Sequence, residues 1–235
     1  MTRRDLLHRL DALGKDLPED PALRQSDRCE EGAYAMMFGE ARNLFDLSKE
    51  SNETRERYGR NTFGQSCLTA RRLVEQGVPY VTINYQGWDT HKNHFQTMQR
   101  RLPEMDRGMS ALLEDLASRG LLDTTIVWWG GEFGRTPKID WDAPWNGGRG
   151  HWGSCFCALL AGGGFKGGRV VGASDDRGMK VVERPVHPRD LIGTIYEQLG
   201  IDPDGAMPNP LGMDVRVLPT AQEEPGGGGR LKEIV

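Results

Sequence analysis

Three short β-rich runs, each bordered by a burst of glycine, acidic and histidine residues, constrain this chain more than any other feature. They are VPYVTINY (78–85), TTIVWWG (124–130) and SCFCALLAGG (154–163). Each is short, rich in β-branched, aromatic or other apolar side chains, and bounded by turn formers, the pattern of a strand. Helical patterns lie around them. FGQSCLTARRLVEQGV carries an apolar stripe (Cys67, Leu68, Leu73, Val74) and stops at Gly77, a fitting C-cap. FQTMQRRLPEMDRGMSALLEDLASRG predicts a long helical region, interrupted near Pro103 and closed by Gly120. HPRDLIGTIYEQLGI predicts a helix with Pro188 in its first turn, Leu191, Ile195 and Leu199 along one face, and Gly200 at its end. Strands alternating with helices argue for right-handed crossovers and a mainly parallel sheet, so the expected class is α/β. The GGGFKGG run (162–168) reads as a hairpin turn joining ALLA to RVVGA. It lacks the Gly-Lys-Ser/Thr ending of a phosphate loop, and no helix follows it.

The first sixty residues read as helical. Leu6, Leu10 and Leu13 recur at helical spacing until Pro18 and Pro21, and Tyr34, Met37, Phe38, Leu44, Phe45 and Leu47 suggest a second piece. The expected organisation is a helical segment over 1–60 packing on the core, an α/β domain over 61–218, and a flexible tail over 219–235. A chain of 235 residues can bury one sizeable core. Its net charge of -4, with Lys and Arg spread along its length, excludes a phosphate-tracking stripe, so no nucleic-acid partner is expected. No run reaches the ~18 apolar residues of a membrane span. MTRRDLLHRLDALGKDL has no apolar signal core behind its Arg pair, which read literally implies a cytoplasmic chain. Cys29, Cys67, Cys155 and Cys157 match neither a zinc ribbon nor a redox Cys-x-x-Cys, and Cys155 with Cys157 reads as core packing.

In parallel α/β sheets the ligand crevice lies beyond the carboxyl ends of the strands. QGWDTHKNH follows the first run, GGEFGRTP follows the second, and NGGRGHWG precedes the third. Together they hold Asp89, His91, His94, Glu132, Arg135 and His151. Carboxylate oxygens and imidazole nitrogens suit a divalent metal, which polarises an ester oxygen or activates a bound hydroxyl. Arginine offers a planar fork for phosphate or sulfate oxygens. Each residue also has a plainer role open to it. Asp89 could cap a turn, His94 could be solvated or merely support a neighbour, and His151 could be a packed core histidine. Arg135 could be the ion-pair mate of Glu132 and nothing more. Glu132 itself, after a run as apolar as TIVWW, resists a plain reading, because burying a carboxylate without a partner is costly. His8 and His187 read as structural.

At these segments the chain resembles a known family. ETRERYGRNTFGQSCLTARRLVEQGVPYVTINYQGWDTH, GGEFGRTPKI, GRGHWGSCFCALLAGGGFKGGRVVGASD and RPVHPRDLIGTIYEQLGID closely resemble the bacterial sulfatase-like family called domain of unknown function 1501. The likeness runs from about Asp46 to Asp204 and more weakly to both ends. It implies kinship with alkaline phosphatases and arylsulfatases: a three-layer helix–sheet–helix sandwich with one or two divalent metals at the strand ends. By the same resemblance Asp89, His91, Glu132 and His151 would hold metal, with Zn²⁺ or Mn²⁺ favoured over Mg²⁺, and Arg135 would contact the oxyanion. The implied activity is hydrolysis of phosphate or sulfate esters of small molecules or carbohydrates. Two departures stand out. Gly150 replaces the acidic residue of the family's Gly-Arg-Asp-His-Trp. The exported N-terminal half of full-length relatives has no counterpart before Met1, so the fold is expected to be N-terminally incomplete and prone to self-association. A rival expectation is a non-catalytic module that keeps the fold.

Overall fold

Small polar residues start the first two α-helices. The structure, a computed structural model, describes residues 39–209, 211–220, 223 and 226–235, with Arg28, Cys29, Gly32 and Tyr34. The chain divides into two compact units, Met1–Glu50 and Ser51–Val235. In the first, 3₁₀ turns form at Glu40–Leu44 and Leu47–Lys49; the expected helix through Leu6, Leu10 and Leu13, like Met37 and Phe38, lies outside the described residues. In the second, the Ser51 hydroxyl accepts from the Thr54 amide and starts α1 (Asn52–Tyr58). The Asn61 side chain does the same for the Gly64 amide and starts α2 (Thr62–Glu75). The long helix α3 (His94–Ser118) runs unbroken through Pro103, where an interruption was expected. Pro103 is exposed, so the bond it forfeits lies on the solvent side, while the next turns are held by packing.

Gly108, Ala111, Leu112, Asp115 and Leu116 form the buried stripe of α3, at the spacing of one helix face. It packs on Phe63, Cys67, Leu68 and Ala70 of α2, and Tyr58 at the end of α1 is fully buried. The turn from α1 into α2 is tight: a Cβ on Gly64 would stand 1.9 Å from the Tyr58 carbonyl oxygen, so only glycine fits. Burial pushes the Cys67 thiol up to about 12, leaving it an inert packing group. One charged group crosses the whole block. The Asp115 carboxylate accepts from the Tyr58 hydroxyl at 2.8 Å and pairs with Arg57 at 2.7 Å, Arg71 at 3.2 Å and Arg119 at 3.3 Å.

The sheet expectation is overturned. Among the described residues the strands form three two-stranded sheets, all antiparallel. β1 (Val127–Gly130) pairs with β4 (Ala158–Ala161), β2 (Gly134–Arg135) with β3 (His151–Trp152), and β5 (Ala173–Ser174) with β6 (Val181–Glu183). A parallel sandwich needs a crossover, usually helical, between neighbouring strands. The chain from β1 to β4 has no helix; it folds the β2–β3 pair instead and returns antiparallel. The run 78–85 is extended, with Val81, Ile83 and Tyr85 half-buried and Thr82 and Asn84 exposed, yet it joins no ladder. Nor does GGGFKGG close a hairpin, because β4 is already paired with β1 and β5 with β6. No strand residue is buried, so the core sits in the helices.

The last helix, α4 (Pro188–Gln198), starts as expected on Pro188, with the Asp190 carboxylate accepting from the His187 amide at 3.0 Å. Residues 226–235, within the segment expected to be a flexible tail, pack against it. Leu231 is buried and its amide donates to the Thr194 hydroxyl at 2.9 Å, while Glu233 pairs with Arg184 and Arg230 with Glu197. Among the described residues no helix is long and apolar enough to cross a membrane.

The Asp115 network makes a stability prediction. Burial alone would raise this carboxyl, but the Tyr58 hydroxyl and the Arg57 and Arg119 guanidinium groups outweigh it and hold it below the usual carboxylate range. Its contribution is therefore fully present above the unfolded value of about 3.9 and is lost as pH falls through the lower folded value. Asp115→Asn removes a charge that buried Arg71 shares with Glu75, and is expected to destabilise by about 1–3 kcal/mol in urea unfolding at neutral pH. Acid should then destabilise the variant less than the wild type between about pH 5 and pH 2. A loss under 1 kcal/mol would contradict the network's central place.

Candidate metal centre

Aromatic rings carry the chain from the helices to the first sheet. Tyr85 stacks on Phe63 of α2 with centroids 4.4 Å apart, and its hydroxyl donates to Glu104 of α3 at 2.7 Å. Trp88 meets Tyr85 edge-on at 5.6 Å and Trp129 of β1 at 6.2 Å. The extended run is thus fixed by side chains where it has no ladder, and Asp89 follows directly. Thr90, buried, bonds to the His94 ring at the start of α3 at 2.6 Å, so the loop from Asp89 to Asn93 closes onto that helix.

The second side of the site comes from 140–152. The amide and carbonyl of Gly148 both bond to Asp140, and the Arg149 amide donates to the Thr90 carbonyl at 3.0 Å. The Arg149 guanidinium grips the carbonyls of Thr136 at 2.6 Å and Arg135 at 3.1 Å, and the Thr136 hydroxyl accepts from the Gly150 amide at 3.0 Å. These bonds set β3 beside β2, with Arg135 opposite His151 in register.

The result is a convergence of three donors. The Nε2 atoms of His91 and His151 are 3.1 Å apart and lie 3.1 and 3.0 Å from Asp89 Oδ1. All three side chains are substantially exposed. Arg135 also donates to Asp89 Oδ1. The His151 ring first, and Arg135 next, hold the Asp89 carboxyl below the usual range. Ligand atoms about 2.1 Å from a shared ion lie about 3.0 Å apart at right angles and about 3.4 Å at tetrahedral angles. The observed triangle has the right-angle spacing, so these two imidazoles and one carboxylate fit a divalent cation with open positions. The same separations also serve hydrogen bonds, one imidazole N–H donating to the carboxylate.

Three of the four expected ligands are therefore brought together. Glu132 is not; its carboxylate is exposed and 3.8 Å from Arg135, whose closer partner is Asp89. His94 stays apart, lowered first by burial and then by the charges of Arg149 and Arg135, so it remains neutral against Thr90. His151 is exposed rather than packed in a core, although Phe133 lies 4.4 Å from its ring. Arg149 and Thr136, which hold the two strands together, were not anticipated. The glycines around Arg149 were the available signal, since they let its backbone bond to Thr90 at close range.

Fold and site together define an α+β chain with an exposed two-histidine, one-carboxylate cluster carried by a loop and a two-residue strand. The chain belongs to the family described as protein of unknown function (DUF1501), whose model matches residues 1–223. No curated protein and no solved structure matches it.

Two glycines offer a contrast that tests the site. A Cβ on Gly148 would stand 1.9 Å from the His91 carbonyl oxygen, a backbone clash that must displace His91. On Gly150 the nearest atom is the Thr136 methyl at 3.5 Å, an ordinary contact. For a divalent cation held by the triangle, Gly148→Ala would weaken binding at least tenfold in calorimetric titration, and Gly150→Ala by no more than twofold. Equal effects would mean that the His91 backbone does not set the cluster.

Proposed function

We propose that this chain is a divalent-metal-dependent hydrolase of phosphate or sulfate esters, with Asp89, His91 and His151 as the metal-holding residues. The observation that carries this reading is the convergence of three donor atoms from segments 60 or more residues apart in sequence. Kinship to the sulfatase-like proteins is part of the proposal, and it rests on the motifs around GWDTH, GGEFGRTP and GRGHWG. A cation bound there would supply Lewis-acid polarisation of the ester oxygen, with Zn²⁺ or Mn²⁺ preferred for a set mixing nitrogen and oxygen. The remaining work falls to the protein's own residues. Asp89 accepts positive charge, from a cation or from Arg135. Arg135, when it leaves Asp89, offers a planar fork to the anionic group. Arg149 holds the Arg135 and Thr136 carbonyls, so the segment carrying that fork stays in place. Thr90 keeps His94 from swinging into the cluster.

The test is calorimetric titration with Zn²⁺ and Mn²⁺, together with hydrolysis of p-nitrophenyl phosphate and p-nitrophenyl sulfate. Wild type is expected to bind one equivalent, more weakly as pH falls because metal ligands must be deprotonated. Asp89→Ala and His151→Ala should each lose at least tenfold in affinity. Glu132→Ala should bind within twofold of wild type, since its carboxylate stands outside the triangle. Equal binding by all four proteins would remove the metal assignment. Metal binding without turnover of either ester would favour the non-catalytic module, the reading supported by Glu132 standing apart and by Gly150.

A further inference from the structure

A cavity of about 730 Å³ lies beside this centre, and Glu132 joins the two. Its carboxylate is 3.8 Å from Arg135, the residue that holds Asp89, and the same residue lines the cavity wall. The other walls come from four parts of the fold: Trp128 of β1, Leu160 of β4, Leu191 and Ile192 of α4, and Ile234 of the packed tail. That volume falls within the ~300–1,000 Å³ typical of small-molecule sites. A bare phosphate or sulfate would leave most of it unfilled.

We infer that the ester taken by this site carries a bulky apolar group, aryl or alkyl, seated in this cavity. The inference rests on the ester-hydrolase reading and narrows its substrate class. Trp128 is 52 % exposed and Phe156, also on the wall, 42 %, so large rings stand open where an apolar group would cover them. A carbohydrate fits these walls less well, since Trp128, Phe156, Leu160, Leu191, Ile192 and Ile234 give its hydroxyls no partners on that part of the surface. Of the cations at the cavity, Lys166 is engaged with the Val235 carbonyl and Arg184 with Glu233, while Arg169, also on the wall, is exposed. Charge recognition at the centre falls to Arg135 and the donor triangle, and shape to the apolar part of the walls.

The test uses the full chain and three probes: 1-naphthol, 1-naphthyl phosphate and inorganic phosphate, followed by tryptophan fluorescence and equilibrium dialysis. Naphthol should bind wild type. Ala158→Trp, which fills the cavity from its wall, should weaken naphthol at least tenfold while leaving Mn²⁺ binding within twofold. Should that variant fail to fold, Leu191→Gln places a polar group on the same surface and should weaken naphthol similarly. Asp89→Ala should bind naphthol as wild type does. With Mn²⁺ present, naphthyl phosphate should bind at least tenfold tighter than either naphthol or phosphate, a gain lost in both Ala158→Trp and Asp89→Ala. If naphthol does not bind, or binds the filled variants equally, the cavity proposal falls while the metal reading stands. If naphthol binds but its phosphate ester gains nothing, the cavity does not serve the centre and the proposal also falls. Absence of metal binding in wild type would instead sink the hydrolase reading beneath it.

Discussion

Asp115 is the charge on which the helical block turns. Its carboxylate sits almost out of water on α3 and meets Tyr58 from α1, Arg71 from α2, Arg57 from α1 and Arg119 from its own helix. Glu75 adds a second acid between Arg71 and Arg119. Taking such charges out of water is expensive, and a well-packed apolar replacement of the whole set could be as stable. Breaking one member is different, because it strands the others. Such a network fixes the register of three helices more sharply than apolar packing alone, and the nearby core is modest: Tyr58, Phe63, Cys67, Leu68, Ala70, Ala111, Leu112 and Leu116.

That register matters because the candidate centre has no sheet beneath it. Asp89 and His91 stand on a loop anchored by Tyr85 against Phe63 and by Thr90 against His94, both reaching α2 or α3. His151 stands on a two-residue strand tied to Arg135 by backbone pairing and by Arg149. A shift of α3 relative to α2 would move Tyr85 and His94 together, and with them both loop donors. Rigid placement of the site therefore passes through side-chain contacts to the helices, where a larger α/β enzyme would use strand ends.

The sequence announced the helices well, because their signals are local. Pro188 marked a start, Gly77 and Gly120 marked stops, and the stripe Cys67, Leu68, Leu73 and Val74 marked one face of α2, whereas α1 fell in a stretch read only as polar. It misled on the sheet, because strand pairing is set by what lies between strands. TTIVWWG and SCFCALLAGG do contain strands, but the missing helix between them decides for an antiparallel pair. VPYVTINY alternates like a strand and still takes its partners from aromatic side chains. Of the candidate site, Asp89, His91 and His151 were legible as residue types beside strand-like runs. Glu132 was misjudged because its apolar prelude suggested burial, whereas Gly130 and Gly131 turn the chain so that the carboxylate ends exposed. Arg149 was missed for a different reason: its work is done through carbonyl oxygens, and only the glycines beside it hinted at that close approach.

The geometry around Asp89 Oδ1 carries one more step. That single oxygen faces two imidazole nitrogens and a guanidinium, more partners than its lone pairs can serve at full strength. Arg135 is the one permanent cation among them, and it occupies the position of charge that a metal would take. On the hydrolase reading, an ion at the triangle would compete with Arg135 for this oxygen, and an anionic group would compete with Asp89 for Arg135. Under the hydrolase reading the two events reinforce one another, since anion binding to Arg135 removes the competitor of the metal, and coupling of this kind is reciprocal. Under that reading the arginine on a would-be ligand has a positioning role, holding the Asp89 carboxylate toward the two imidazoles.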